Sequence, residues 1–194
     1  MVLNLMVMRS SKMKTFLIVL IFLSASLPAI SQTKSSAIAE IDTYTKEIDR
    51  FIKTKPKSRL FGDVSTTEKS SWREVRAKQA EGLFETDEVW TPVGKVVAAN
   101  FQLSSASGDW AHFITYYFRA DGTLAKIKAQ LNTFYGNVSV LRDRYYDANR
   151  KQLKATERFL DLETQKPIKR PAEFYNNPVP LYSRVSTLPF GRLL

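Results

Sequence analysis

The stretch Trp110-Ala111-His112-Phe113-Ile114-Thr115-Tyr116-Tyr117-Phe118-Arg119-Ala120-Asp121-Gly122-Thr123-Leu124-Ala125-Lys126-Ile127-Lys128-Ala129-Gln130-Leu131 decides the fold. Its period is two. Ile127, Ala129 and Leu131 alternate with Lys126, Lys128 and Gln130, which is the pattern of a strand with one apolar face. Aromatic and β-branched residues dominate 110–118, as strands favour. Between the two runs stands Asp121-Gly122, a hairpin signal because glycine accepts positive φ. The motif aromatic-x-x-Asp-Gly-x-Leu is turn chemistry and carries no function of its own.

The same period extends in both directions. It predicts strands at about 84–91, 95–103, 110–119, 123–134, 138–146 and 151–162. An aromatic followed four residues later by a turn residue recurs at a 28-residue interval, as Trp90…Gly94, Phe118…Gly122 and Tyr146…Arg150. That spacing describes an antiparallel meander of near-equal strands rather than a repeat protein. Upstream, Ile38, Ile41, Tyr44, Ile48, Phe51 and Ile52 form one stripe at helical spacing, predicting an amphipathic helix over 36–54 that Pro56 ends. Residues 55–71 read as a loop, and 72–77 fit a strand or a short helix equally well. The fold class is therefore α+β, an N-terminal helix packed on a curved antiparallel meander of about six strands. The alternative is a closed up-and-down barrel with the helix as a plug.

Short hairpins fix register and register fixes faces. Pairing Leu103 with Trp110, Phe118 with Thr123 and Phe134 with Val138 gathers one apolar face. It holds Val97, Ala99, Phe101 and Leu103, then Trp110, His112, Ile114, Tyr116 and Phe118, then Ala125, Ile127, Ala129 and Leu131, then Leu141 and Tyr145. The helix stripe is expected to cover it. The opposite, outer face then holds Phe113, Thr115, Tyr117, Lys126, Lys128, Gln130, Arg142, Arg144 and Tyr146. Long cationic stems lying over rings suit a solvated face, and they also suit a platform for an anionic or glycan-like ligand.

In this register His112, Ala129 and Asp143 share a row on the helix-facing side. An imidazole and a carboxylate flanking a small alanine, with Tyr116 and Tyr145 nearby, are the weak candidates for ligand binding or acid–base chemistry. The competing expectation is a satisfied core histidine, with Asp143 paired to Lys154 across the next strand. The acids Glu81, Glu85, Asp87 and Glu88 lack the glycine and the alternating ligands of a calcium loop and read as a solvated acidic turn.

Composition narrows the function. Among 194 residues there is one histidine and no cysteine. Multi-histidine and thiolate metal sites are thereby excluded, as are a cysteine nucleophile and disulfide staples. No cofactor motif is present and none is expected. Lys and Arg outnumber Asp and Glu by 29 to 19. Arg9, Lys12 and Lys14 precede the apolar run Phe16-Leu17-Ile18-Val19-Leu20-Ile21-Phe22-Leu23, and Ala29-Ile30-Ser31 supplies small residues before Gln32. These are the three parts of a cleavable signal peptide, assigned to 1–31. The apolar run is shorter than the roughly 20 residues of a spanning helix. Residues 32–164 follow as a single domain. Residues 165–194, with Pro167, Pro171, Pro178, Pro180 and Pro189 among apolar residues, form an extended strap.

Export, to the periplasm or beyond the cell, argues against a nucleic-acid partner for the excess positive charge. An anionic cell-envelope polymer or a protein partner remains. The expected function is an exported, non-enzymatic binding or interaction module. The alternatives are a small-ligand binder or acid–base enzyme around His112 and Asp143, and a structural protein that holds a partner through its strap.

Overall fold

The computed structural model describes residues 34–65 and 70–194. The signal-peptide assignment to 1–31 lies outside the described residues. The first element, α1 (Lys34–Lys53), carries the expected apolar stripe, with Ile41, Thr45 and Ile48 buried and Arg50 and Lys53 in its last turn. Cations there face the negative end of the helix dipole. Among the described residues nine strands follow in one sheet. They are β1 (Arg59–Asp63), β2 (Trp72–Glu74), β3 (Glu85–Trp90), β4 (Ala98–Ser104), β5 (Trp110–Phe118), β6 (Leu124–Thr133), β7 (Val138–Tyr146), β8 (Gln152–Asp161) and β9 (Pro167–Ile168). A single turn of helix, α2 (Ala77–Ala80), precedes β3.

The spatial order is β2-β1-β3-β4-β5-β6-β7-β8-β9, and every pairing is antiparallel. The first and last strands do not meet, so the sheet is open and the barrel alternative does not hold. The six long strands fall close to their predicted bounds. Three more lie outside them: β1 inside the stretch read as a loop, β2 in the undecided segment, and β9 at the start of the strap.

Register departs from expectation in three ways. In the β4–β5 pair Leu103 opposes His112 rather than Trp110, a shift of two that preserves the faces. The β5–β6 hairpin pairs Tyr117 with Lys126 but Phe118 with Leu124, leaving Ala125 as an extra residue. The bulge adds one residue and the pairing of Phe118 with Leu124 instead of Thr123 adds another, so the pairing slides by two and His112 opposes Leu131. The faces are preserved from Lys126 onward, while Ala125 turns to the opposite side, against Ile41. The β6–β7 turn is different. It spans Phe134 to Asn137, because Thr133 rather than Phe134 pairs with Val138. Gly136 and Asn137 both adopt positive φ, 89° and 46°. That one-residue slip moves every side chain of β7 to the other face. Ala129 now opposes Arg142, and Asp143 opposes Lys128.

One face carries Val89, Ala99, Phe101, Ile114, Tyr116, Phe118, Leu124 and Ile127, joined by Phe61 from β1. The strap covers it. Val179, Leu188 and Phe190 are buried there, and Phe190 stacks on Phe61 with ring centroids 4.4 Å apart. The backbone N–H of Leu124 donates to Ser183 O at 3.1 Å, and that of Val185 to Gly122 O at 3.0 Å. The tyrosine hydroxyl of Tyr116 donates to Pro180 O at 2.9 Å.

The helix lies on the opposite face, against the expectation that it would cover the face of His112 and Ile114. Ile48 packs with Trp90, Ala98 and Tyr117, and Ile41 packs with Ala125 and Tyr145. Each buried aliphatic side chain contributes about 1.5–3 kcal/mol of burial energy. Proline explains the exchange of roles in part. A segment that cannot form helix still donates and accepts main-chain hydrogen bonds at its non-proline residues, and its apolar side chains fill the second layer.

Candidate functional site

The register places the residues singled out in the sequence as follows. His112 and Tyr116 lie beneath the strap. Asp143 and Tyr145 lie on the helix face, so His112 and Asp143 are on opposite sides of the sheet and form no pair. The row joining them through Ala129 does not exist. Asp143 opposes Thr156 on β8, and it is Tyr145 that opposes Lys154. Of the outer-face set, Phe113, Tyr117, Lys126 and Lys128 stay together on the helix face. Arg142, Arg144 and Tyr146 are carried by the slip to the strap face.

There Arg142 is buried and fully engaged. Its Nε donates to Glu157 Oε2 at 2.8 Å, and its guanidinium also reaches Asn176 Oδ1 at 2.6 Å and Asn177 O at 3.2 Å in the strap. Tyr146 joins the aromatic core. His112 is wholly buried and neither ring nitrogen has a hydrogen-bond partner. Burial, helped by the nearby Arg142 charge, lowers its pKa to about 4, so it is neutral near pH 7. The satisfied core histidine expected from the sequence is thus buried but unsatisfied. Asp87 corrects a second expectation. It is no solvated turn residue but sits on β3 opposite Phe61 and Phe101, fully buried, with no partner for either oxygen. Burial pushes its carboxyl well above the usual carboxylate range.

On the helix face a polar cluster ties α1 to the sheet. Asp42 accepts from Lys126 Nζ at 2.8 Å and from the Tyr145 hydroxyl at 2.9 Å. Burial works against the Asp42 carboxylate, but these hydrogen bonds outweigh it and hold its pKa below the ordinary value. Lys126 Nζ also lies 4.4 Å from the Tyr145 ring centroid. A cation shared between a carboxylate and a ring face is well stabilised for a largely buried group.

Beyond this cluster, toward the C-terminal end of α1, the helix stops short of covering the sheet. The gap is a cleft of about 400 Å³. Clefts that hold small ligands run from about 300 to 1,000 Å³. Asp49, Ile52 and Lys53 form its helix wall, and Trp90 and Tyr117 close the inner end. Asn100, Thr115, Lys128 and Asp143 share one cross-strand row, and Phe113, Gln130, Leu141 and Arg158 share the next. The Tyr117 hydroxyl donates to Asp49 Oδ1 at 2.7 Å, fixing the helix wall. Burial and this carboxylate raise the Tyr117 pKa, so the phenol stays protonated. Asn100 Nδ2 donates to Thr115 Oγ1 at 2.9 Å, while Asn100 Oδ1 is buried without a partner. An unsatisfied buried acceptor costs about 1–3 kcal/mol, a cost that a donor entering the cleft would offset.

A second depression of about 320 Å³ lies at the other end of α1 among Ala37, Ile41, Tyr44, Ala125 and Leu153. It is mostly apolar. The nearby Arg119 is already committed to the carbonyls of Leu124 and Tyr146. Among the described residues, no group of three or more metal-ligating side chains comes together.

Sequence reasoning missed Asn100, Trp90 and Arg158 as cleft residues. The signal was present in β4, where Ala98, Asn100 and Gln102 alternate with Ala99, Phe101 and Leu103. A polar amide at the centre of an apolar strand marks a face that is not core. The sequence matches no protein-family model, no curated protein and no solved structure.

Proposed function

We propose that this chain is an exported, non-enzymatic binding module whose ligand site is the cleft between the end of α1 and strands β4–β8. The reading takes the fold as one helix laid on a curved, open meander, with the helix shorter than the sheet is wide. One observation carries it. At the uncovered part of the helix face, aromatic, amide and cationic side chains converge on a cleft of ligand size, and the partnerless Asn100 Oδ1 lies buried in one wall. Binding sites combine apolar lining with a few directed polar groups in this way. Export is supported by the basic, apolar and small-residue succession of 9–31. The acid–base alternative loses its motivating pair, since His112 and Asp143 lie on opposite faces. The strap alternative is weakened because Val179, Leu188 and Phe190 are spent on the chain's own core.

The test is a fragment screen by protein-observed NMR, with carboxylate, phosphate, sugar and apolar probes at millimolar concentration. The expected result is a set of shifts centred on the amides of Phe113, Thr115, Lys128 and Asn100. Hits confined to the apolar depression at Ala37 and Leu153, or no hits at all, would overturn the proposal.

A further inference from the structure

Four cations border the cleft, and Arg142 is already held by Glu157 and the strap. The other three are Lys53 at the end of α1, Lys128 on β6 and Arg158 on β8. Among the described residues none of these three has a carboxylate within ion-pair distance, although ion pairs form at Arg59, Lys126, Arg142 and Arg170. The two carboxylates of the cleft are committed. Asp49 accepts from Tyr117. Asp143 is the cross-strand partner of Lys128, yet its oxygen lies 3.7 Å from Lys126 Nζ instead. The open charge of the cleft is therefore positive.

Its other two features are of a different kind. Phe113 is 40% exposed, a ring left standing between Gln102 and Gln130 on its neighbouring strands. Asn100 Oδ1 awaits a donor. A simple inorganic anion would use the cations and leave both the ring and the acceptor idle. A fatty acid would use the ring but would meet amides and a threonine hydroxyl along its chain. A ligand that uses all three carries an anionic group, a flat C–H surface and hydroxyl donors.

We propose that the cleft binds an acidic sugar, one bearing a carboxylate or a sulfate. This rests on the cleft being a ligand site at all. The anionic group lies between Lys128 and Arg158, whose planar fork matches an oxyanion. The C–H face of the sugar ring covers Phe113 and removes its apolar surface from water. A ring hydroxyl donates to Asn100 Oδ1 once the buried amide swings toward the cleft.

Titration calorimetry of the full chain tests this with four probes: digalacturonic acid, neutral galactobiose, glucose 6-sulfate and inorganic phosphate. An acidic sugar is expected to bind about tenfold more tightly than galactobiose, the scale of one charge-assisted hydrogen bond. The difference should shrink as salt is raised. Lys128→Gln and Arg158→Gln should each weaken the acidic sugar by about fivefold and leave galactobiose unchanged, as expected for loss of one charge contact. Phe113→Ala should weaken both sugars. All three side chains are exposed, so folding is not at stake. Tight binding of glucose 6-sulfate in place of digalacturonic acid assigns the anion as sulfate and supports the proposal. Equal affinity for neutral and acidic sugars overturns it, as does phosphate binding as tightly as either acidic sugar. Silence from all four probes, with fragments still occupying the cleft by NMR, overturns the acidic sugar alone and leaves the binding module standing.

Discussion

The two faces of this sheet are covered by unlike means. On one, a proline-rich strap brings single anchors, Val179, Leu188 and Phe190, to an aromatic bed. On the other, one regular helix delivers its stripe along a line and leaves the sheet bare beyond its ends. An irregular segment can follow the surface it covers, because its direction changes at each proline. A helix cannot, since its side chains emerge at fixed spacing. The strap face is therefore closed, and it traps two polar side chains, His112 and Asp87, with no partner. The helix face is half open, and its polar side chains either pair with α1 or line a cleft. Whole side chains without a partner belong here to the structural side; on the side proposed to bind, only Asn100 Oδ1 is left without one, and its Nδ2 is bonded to Thr115.

Three perturbations would break or sharpen this contrast. The largest is Phe190→Ala. The ring is 1% exposed and stacked on Phe61, with Trp72 and Phe101 also in ring contact. Removing a buried phenylalanine costs about 3–5 kcal/mol. Urea denaturation should show that loss with one cooperative transition. A change below about 1 kcal/mol, within the range of a surface substitution, would mean that the strap is an accessory rather than the second layer.

The second concerns pH. His112 has its folded pKa lowered to about 4 from 6.5. The unfolded chain therefore binds the extra proton between these values, and stability is full above pH 6.5 and declines as pH falls toward 4. The loss amounts to about 3 kcal/mol over that window. Asp87 has the opposite sign. With its folded pKa raised above 3.8, its contribution is full below that pH and is lost as pH rises toward the raised value. The two slopes oppose each other above pH 4, where the neutral Asp87 carboxyl and the neutral imidazole favour opposite directions of pH. In the Asp87→Asn background the histidine slope should stand alone, and adding His112→Leu should flatten it. An acid limb unchanged by His112→Leu would show that the imidazole is not the buried neutral group that the strap face requires.

The strands of this sheet were legible because alternation over nine or ten residues is a strong signal, as in β5 and β6. The faces of β5 and β6 were legible too, since the bulge at Ala125 and the one-residue longer turn before it together shift the pairing by two. What could not be read was the turn Phe134-Tyr135-Gly136-Asn137. One residue more or less in that loop exchanges the faces of β7, and both lengths are chemically reasonable for a glycine followed by asparagine. The tertiary reason for Gly136 lies far along the chain. A Cβ there would stand 2.8 Å from Glu173 O in the strap, at a φ of +89°. The strap thus constrains the turn that sets the register of β7, and no local pattern carries that information. For the same reason the candidate pair of His112 and Asp143 dissolved while Phe113, Tyr117, Lys126 and Lys128 stayed together. The surviving group spans only the hairpin whose parity was read correctly. β1 was hidden by its length. Five residues with Gly62 at the fourth do not alternate long enough to register.

The smallest expected effect is the most informative about the open face. Lys128 and Phe113 are exposed, and Lys128 has no ion-pair partner among the described residues. Lys128→Gln and Phe113→Ala should change unfolding free energy by no more than about 0.5 kcal/mol, as surface substitutions do. Asp42→Ala, on the same face, should cost about 1.5–3 kcal/mol, since it removes the hydrogen-bond acceptor of Lys126 and Tyr145. Both measurements use the same denaturation curve. If Lys128→Gln instead cost as much as Asp42→Ala, Lys128 would be part of the clasp that holds α1 down, and its charge would not be free for a ligand. A gain in stability would carry the opposite meaning. It would say that Lys53, Lys128 and Arg158 repel one another across an empty cleft, a strain that a structural surface has no reason to keep and a bound anion would relieve.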